Sequence, residues 1–228
     1  MEQVSFLGSL DKKDLILTIA NVFTSLDYKV LLVDATLMQR LKYIVPYVGE
    51  KKTITYVAEY QGIDVALGFM RLEDIARYLG KEKLDYDFVL IDSDNVQTMN
   101  SFDITKSEKI YFVTSYDQYE VARMVETFQY YNKPMEVTKA IVSADLSDKQ
   151  AQYLNYLMNQ TLVKLKDVGI QFIDTIEDRK AALENQLTKE IRLKHYTTTY
   201  KDSLTYITSL IGEKTINPND IKKVIKKL

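Results

Sequence analysis

A glycine and a lysine near the start of this sequence are spaced so that they could bind phosphate. Gly8 and Lys12 form the pattern G-x-x-x-K directly after the first apolar segment. Glycine lets backbone N–H groups close on phosphate oxygens, and a lysine at this spacing can reach the terminal phosphates of a nucleoside triphosphate. Such a loop also needs a Ser or Thr hydroxyl for magnesium directly after the lysine. Here that residue is Lys13, which cannot coordinate the metal.

The residue before this lysine is an aspartate, which changes what the loop can hold. Asp11 is a favourable N-cap for the following helix, worth about 1 kcal/mol, and its carboxylate would occupy the positive helix end that a phosphate needs. Two interpretations remain open. In the first, Gly8, Ser9, Asp11, Lys12 and Lys13 form a capped helix start with solvated lysines. In the second, they form a modified anion site in which both lysines replace the charge of the metal.

Two further acids, Asp34 and Asp92, end apolar segments elsewhere in the chain. Aspartate at the end of a strand commonly caps a loop or the next turn. Because an unpaired buried charge is costly, we expect these acids to pair with Lys12 or Lys13. Asp94 adds further negative charge and disfavours a nucleotide phosphate at the same place.

The elements that must position these residues are strands alternating with helices. Continuous apolar runs predict buried strands at residues 3–7, 29–34, 87–92, 109–114, 138–143 and 170–174, with a shorter candidate at 53–57. Amphipathic patterns predict helices at residues 12–26, 72–79, 118–131, 147–166, 176–189 and 201–210. This alternation predicts an α/β fold with a doubly wound, mostly parallel sheet flanked by helices. Ligands of such sheets bind beyond the carboxyl ends of the strands.

Composition narrows the classes of function. The chain has 228 residues with 46% hydrophobic content, enough for one substantial core, and a net charge of −2 gives no global attraction to nucleic acid. The lack of cysteine excludes disulfides, thiolate catalysis and zinc–cysteine sites, and it fits a cytoplasmic protein. A single histidine, His195, argues against histidine-based metal or triad chemistry. No apolar run reaches the roughly 20 residues that cross a bilayer, and the start of the chain does not resemble a signal peptide.

The last fifteen residues form a basic segment of their own. Asn217 and Pro218 mark a helix start. The helix that follows has apolar residues at i, i+3, i+4 and i+7 and lysines on the other face: Ile221, Lys222, Lys223, Val224, Ile225, Lys226, Lys227 and Leu228. We therefore expect a domain at residues 1–213 and a basic amphipathic helix within 214–228. That helix could lie on an anionic membrane, or it could pack on the domain or on a partner.

The order of these pieces resembles the MinD/ParA group of deviant P-loop ATPases, over about residues 1–210. The loop of that group reads K-G-G-x-G-K-[ST]-[ST], and residues 7–14 here read L-G-S-L-D-K-K-D. Residues 30–36 (VLLVDAT) are similar to its V-L-L-[VI]-D-x-D segment, and residues 86–93 (YDFVLIDS) are similar to its Walker B strand. Gly8, Lys12, Asp34 and Asp92 match these patterns. The signature lysine, two glycines, the magnesium hydroxyl and the second acid are replaced.

The resemblance implies a P-loop NTPase-like fold of the MinD/ParA type in a bacterial, cytoplasmic homodimer, with Asp34 and Asp92 where magnesium would bind. Because several parts of the loop are replaced together, it implies a pseudo-ATPase with no catalytic residues, no metal and no required cofactor, although ATP binding stays open. Such a protein would serve as a scaffold or localisation factor for a pilus, secretion, conjugation or partition assembly, as TadZ/CpaE-like members suggest.

The resemblance also bears on partners and leaves alternatives open. Expected partners are proteins of a larger assembly, with peripheral contact to the inner face of the membrane through the C-terminal helix, whereas nucleic acid is not expected. The alternative function is a weak ATPase in plasmid or chromosome partitioning that uses Lys12 and Asp92. A third hypothesis, a DNA-binding partition accessory, would depend on the lysine-rich tail.

Overall fold

One twisted sheet organises the chain, which a computed structural model describes at residues 1–46, 54–143 and 148–228. Within these residues the sheet has nine strands: β1 (Glu2–Leu7), β2 (Val30–Asp34), β3 (Tyr56–Tyr60), β4 (Ile63–Leu67), β5 (Phe88–Ser93), β6 (Lys109–Thr114), β7 (Met135–Ser143), β8 (Val163–Leu165) and β9 (Ile170–Ile173). Their order is β3-β4-β2-β5-β1-β6-β7-β8, and β9 also pairs with β7. The β3–β4 pair is antiparallel and the other pairs are parallel.

Helices cover both faces of this sheet. They are α1 (Lys13–Thr24), α2 (Leu72–Tyr78), α3 (Val96–Ser101), α4 (Gln118–Tyr131), α5 (Asp148–Met158), α6 (Ile176–Thr188), α7 (Thr198–Ile211) and α8 (Pro218–Lys227). Buried apolar residues form two cores, one under α1, α6, α7 and α8 and the other under α2 to α5. The central strands are buried on both faces, which explains their continuous apolar sequences. The predicted doubly wound, mostly parallel α/β sheet is therefore confirmed.

The parallel register brings the candidate site residues to one edge of the sheet. Asp34 at the end of β2 lies beside Asp92 of β5. Asp92 also lies beside Phe6 of β1, so the loop that follows β1 starts at the same edge. The loop and both acids therefore lie together at the carboxyl ends of three adjacent strands, which is where such sheets bind their ligands.

Several predicted elements need correction. The predicted helix at residues 147–166 is wrong at its C-terminal half, because α5 ends at Met158 and β8 follows at Val163–Leu165. Thr161 stabilises the turn between α5 and β8, because its hydroxyl donates to the carbonyl of Met158 and accepts from the backbone N–H of Val163. The candidate strand at 53–57 begins outside the described residues, and β3 occupies Tyr56–Tyr60. Strand β4 and helix α3 were not predicted.

The C-terminal helix packs on the domain. Asn217 caps α8 by accepting a hydrogen bond from the backbone N–H of Asn219. Ile221 and Ile225 are buried in the core under α1, α6 and α7, while the four lysines of the helix face solvent. In this structure the apolar face of the helix packs on the domain, which is one of the arrangements that the sequence left open. Among the described residues, no helix combines the length and apolarity that a bilayer span requires.

Candidate functional site: the loop between the first strand and the first helix

The loop that joins β1 to α1 is packed tightly against the neighbouring strands. The backbone N–H of Gly8 donates to the carbonyl of Ser93 at 3.1 Å. Gly8 has φ of +156°, and a Cβ atom at this position would lie only 1.9 Å from the carbonyl oxygen of Val113. Ser9 stands where the resemblance expects a glycine, and its hydroxyl donates to the backbone carbonyl of Glu120 in α4. The glycine that the loop retains is therefore needed for close packing against β6.

Lys12 is folded back into the loop and is almost fully buried. Its Nζ donates to the carbonyl of Gly8 at 2.5 Å and lies 2.6 Å from Oδ1 of Asp92. The side chains of Lys12 and Asp92 are 1% and 5% exposed. The predicted ion pair between an acid and a loop lysine is therefore present, whereas the prediction of a solvated Lys12 is wrong. The lysine that would meet a phosphate is already occupied by groups of the protein itself.

Asp11 bonds to the first backbone N–H of α1, but from one residue before the N-cap position that the sequence predicted for it. The N-cap position belongs to Lys12, whose side chain makes no capping bond. Asp11 accepts from the backbone N–H of Lys13 at 3.3 Å and pairs with Lys13 Nζ and Arg40 Nη1, each at 2.7 Å. Burial by itself would raise the pKa of Asp11, but the bonds from Lys13 and Arg40 hold that pKa below its usual value. An ionised carboxylate thus lies at the start of the helix, where it repels phosphate.

Asp34 pairs with neither lysine, so this part of the prediction is wrong. Its Oδ1 accepts from the backbone N–H and the hydroxyl of Thr36 at 3.1 and 2.6 Å, and its Oδ2 accepts from the backbone N–H of Leu41 at 3.1 Å. These local hydrogen bonds hold the segment that follows β2 in place, and they supply the donors that the buried Asp34 carboxylate needs. Burial raises the pKa of Asp34.

Asp92 lies in the most unfavourable electrostatic environment of the site. Burial raises its pKa to about 7, Lys12 opposes the rise, and the nearby Asp34 and Asp94 carboxylates add to it. Asp94 itself accepts hydrogen bonds from the backbone N–H of Leu37 and from the side chain of Asn95. The edge of the sheet that would face a triphosphate therefore carries several carboxylates. In the described part of the chain, Lys12 is the only deeply buried cation beside them.

The space left inside the loop is small. The cavity between the loop and the acids has a volume of about 40 Å³. Pockets that hold small-molecule ligands usually measure about 300–1,000 Å³. No group of three or more His, Cys, Asp or Glu residues that could hold a metal occurs in the described ranges. In the conformation described, the space inside this loop is therefore too small for a nucleoside triphosphate.

Two contacts at this site were not expected from the sequence. Arg40, in the short 3₁₀ helix Arg40–Tyr43, reaches Asp11 across 29 residues of sequence. On the other side of the loop, Gln186 of α6 donates to both carboxylate oxygens of Asp14 at 3.0 Å. Neither residue belongs to a local pattern, so no signal in the sequence pointed to them.

Comparison with known proteins identifies the fold and does not establish a family. No protein-family model and no curated protein sequence matches this chain. A ParA family ATPase from Chlorobium tepidum TLS aligns with a TM-score of 0.57 and 13% identity over 92% of this chain and 98% of that protein. The MinD cell division protein of Aquifex aeolicus aligns with a TM-score of 0.55 and 11% identity over 95% and 99%. The chain has the ParA/MinD fold.

A third similar structure shows a bound nucleotide analogue in this fold. A putative plasmid partition protein from Borrelia burgdorferi B31, bound to AMPPNP, aligns with a TM-score of 0.53 and 14% identity over 95% of this chain and all of that one. The fold implied by the resemblance in sequence is thereby confirmed. In the present ParA/MinD-fold chain, the residues of the β1–α1 loop bind one another, and identities this low carry the fold and not the activity.

Proposed function

We propose that this chain is a non-catalytic ParA/MinD-fold protein, a pseudo-ATPase that acts as a scaffold or localisation factor through protein contacts. The observation that carries the proposal is the position of Lys12, whose ammonium lies between the Gly8 carbonyl and the Asp92 carboxylate in a loop with about 40 Å³ of free space. Lys12 matches the P-loop pattern in sequence, but in the structure it forms an ion pair within the protein.

Opening this loop for a nucleotide would be costly. Lys12 would have to leave both partners, and a buried carboxylate that loses its cation is destabilised by about 3–5 kcal/mol. The entering phosphates would then approach Asp11 and Asp94 as well as Asp92. Micromolar binding amounts to about 8 kcal/mol in total. The cost of opening therefore removes a large share of the affinity that a nucleotide could gain.

The parts that accelerate phosphoryl transfer are also replaced. Lys13 stands at the position of the magnesium hydroxyl and is held by Asp11 and Asp14 at 2.7 and 3.3 Å. Thr36 stands at the position of the second acid and donates its hydroxyl to Asp34. Metal binding, charge neutralisation and positioning of water are the terms that make this chemistry fast, and each is changed here.

Exposed apolar side chains near the loop support a role in protein contacts. Leu37 and Met38, which follow β2, are each 63% exposed, and Met38 lines the loop cavity. Leu183 and Leu187 of α6 are 63% and 84% exposed and flank Gln186, which binds Asp14 of α1. Contiguous exposed apolar groups mark interaction surfaces, and we propose that these side chains contribute to one. We infer that a second copy of the chain covers them, giving a homodimer.

The assembly that the protein serves is proposed from the resemblance. We place the protein in the cytoplasm, as a positioning component of a bacterial pilus, secretion, conjugation or partition machine. Because Ile221 and Ile225 are buried, any contact of the C-terminal helix with the inner face of the membrane would be electrostatic, through Lys222, Lys226 and Lys227.

Calorimetric titration with magnesium–ATP tests the proposal directly. We expect no saturable heat up to about 1 mM nucleotide, and no phosphate release in a parallel hydrolysis assay. Saturable binding would reject the proposal. Phosphate release that is retained in the matched surface variant Lys83→Met and lost in Lys12→Met, under conditions where circular dichroism shows Lys12→Met to be folded, would show instead that the chain is a weak ATPase.

A further inference from the structure

Helix α6 lies beside the β1–α1 loop but buries little of its own surface. Of its thirteen residues, Asp178 and Ala181 are the buried ones. Three of its large apolar side chains, Ile176, Leu183 and Leu187, are between 63% and 84% exposed. Helix α1, which follows the loop, buries nine of its twelve residues. Because elements with few buried apolar contacts open locally at a lower free-energy cost, we expect α6 to open before α1.

A cavity of about 210 Å³ lies between α6 and the loop. Asp178, Arg179 and Ala182 of α6 line one side of it, and Lys12 lines the other. Lys12 also lines the smaller loop cavity, so its buried side chain lies between the two spaces. Side chains that line a cavity are not held by close packing on that side. The inner face of α6 is therefore incompletely packed, and Lys12 has room to move when α6 moves.

A polar contact holds the C-terminal half of α6 to the start of α1. The Gln186 side chain donates to both carboxylate oxygens of Asp14, at 3.0 Å each. Asp14 in turn lies 3.3 Å from the ammonium of Lys13, the neighbour of Lys12 in sequence. Hydrogen bonds to charged groups are among the stronger ones in proteins. Loss of the contact between Gln186 and Asp14 should therefore favour the opened helix.

The two ends of α6 are held by bonds of different burial. At its start, Asp178 accepts from the Thr175 hydroxyl at 2.7 Å and from the backbone N–H and the hydroxyl of Thr197 at 2.7 and 2.9 Å. Near its other end, Asn185 donates to the carbonyl of Arg192 at 3.0 Å and accepts from its backbone N–H at 3.2 Å, both exposed to solvent. The buried carboxylate makes the start of α6 the hinge, and the end near Asn185 is the part that opens.

We propose that α6 is a hinged cover over the loop, an inference that rests on the proposed function because it concerns the loop that Lys12 fills. The hinge lies near Asp178, and the contact between Gln186 and Asp14 is the latch. When the latch opens, Lys12 becomes accessible to solvent and the two cavities join. The cover thereby controls whether the pair of Lys12 and Asp92 can open.

Hydrogen exchange on the unaltered protein tests whether α6 opens by itself. The backbone amides of α6 should exchange at least about tenfold faster than those of α1, because α6 has fewer buried contacts to break. The amides of β5, at the centre of the sheet, should remain protected at the same time. Protection of α6 equal to that of α1 would overturn the proposal.

Acetylation of lysines, followed by site-resolved mass spectrometry, tests whether the cover shields Lys12. Gln186→Met keeps the length and helix propensity of the side chain but removes its donors. Lys12 should then be acetylated at least about fivefold faster than in the unaltered protein, while the exposed Lys83 reacts at an unchanged rate. Gln186→Lys restores a donor to Asp14 and should keep the rate at Lys12 within about twofold. Lys180→Met, at an exposed residue of the same helix, is the matched control and should have no effect.

Two results of the acetylation experiment would also overturn the proposal. In the first, Gln186→Met leaves the rate at Lys12 unchanged. In the second, the rate rises only together with hydrogen exchange in β5, which reports unfolding of the whole domain. Titration with magnesium–ATP separates the two proposals: saturable binding by the unaltered protein would reject the pseudo-ATPase and leave the cover in place, whereas an unchanged rate in Gln186→Met would reject the cover and leave the pseudo-ATPase in place.

Discussion

The ammonium of Lys12 lies 2.6 Å from Oδ1 of Asp92 at the centre of the β1–α1 loop, and both side chains are buried. Lys12 comes from the start of α1, whereas Asp92 comes from the carboxyl end of β5. A pair of this kind adds little net stability, because desolvation of both charges offsets their attraction, but removing one partner leaves an uncompensated charge. The first two predictions follow from this asymmetry.

Lys12→Met should destabilise the fold by about 3–5 kcal/mol at pH 8, because the buried Asp92 must then either stay ionised without its cation or take up a proton that the unfolded chain does not bind at that pH. At pH 5 the loss should be smaller, since Asp92 then carries a proton. Urea denaturation at the two pH values measures both quantities. Lys83→Met changes an exposed lysine and should stay within about 0.5 kcal/mol of the unaltered protein. A loss of equal size at both pH values would show that Asp92 is not the group left unpaired.

The unaltered protein should lose stability between pH 4 and pH 7 through Asp92. Its folded-state pKa of about 7 lies above the value of an unfolded aspartate, which is about 3.9. Between these values the folded state binds more protons, so its stability falls as the pH rises, by on the order of 1–4 kcal/mol. Asp92→Asn should flatten this slope, leaving the smaller contributions of Asp14 and Asp34, whose raised pKa values act in the same direction. An unchanged slope in the variant would contradict the assignment.

Gly8 should tolerate no side chain, for reasons of packing. Gly8→Ala places a methyl group 1.9 Å from the carbonyl oxygen of Val113, and we expect a loss of about 3 kcal/mol. Gly80→Ala is the matched control: Gly80 also has a positive φ, of +66°, but nothing lies within 4 Å of its added Cβ atom. Backbone strain alone should cost about 1 kcal/mol there. Similar losses in chemical denaturation of the two variants would mean that the loop can move away from β6.

The fold could be predicted from the sequence largely because its central strands are buried on both faces. β6 at Lys109–Thr114 and α4 at Gln118–Tyr131 agree with their predicted bounds. Of the β3–β4 hairpin, a candidate strand at 53–57 that overlaps β3 was predicted, whereas β4 was missed. Gln61 and Gly62 join the two strands in a two-residue turn with positive φ, and the glycine there is the signal in the sequence for such a turn. β8 has three residues. In so short a segment, the alternation of apolar and polar residues that is typical of a strand cannot be distinguished from the end of a helix.

The site was harder to predict, because its contacts join distant parts of the chain. The spacing of Gly8 and Lys12 and the strand-end position of Asp92 were sufficient to expect an ion pair at the loop. Whether Lys12 pairs with Asp34 or with Asp92 depends on the register of β2 and β5 and on the local hydrogen bonds that Asp34 already accepts. The contact between Arg40 and Asp11 depends on how the segment after β2 folds back, and no periodicity encodes that.

The C-terminal helix should behave as part of the domain. Ile221 is fully buried, so Ile221→Ala should cost about 2–5 kcal/mol in urea denaturation. Lys222→Ala, one residue further on the exposed face, should change stability by less than about 0.5 kcal/mol. If the helix were instead a free membrane anchor, Ile221→Ala would leave the folding free energy unchanged and would weaken binding to anionic vesicles.

Self-association should depend on the exposed leucines of α6. Leu187 is 84% exposed, and in the proposed homodimer a second copy that covers α6 would bury its side chain. A glutamate there would place a charge in an apolar contact. Leu187→Glu should therefore weaken dimerisation by at least about tenfold in sedimentation velocity, a change of about 1.4 kcal/mol. Tyr130→Glu, at a residue of α4 that is 80% exposed, is the matched control and should leave the dimer intact. A chain that sediments as a monomer at all concentrations tested, or a dimer that resists Leu187→Glu, would show that this surface is not where two copies meet.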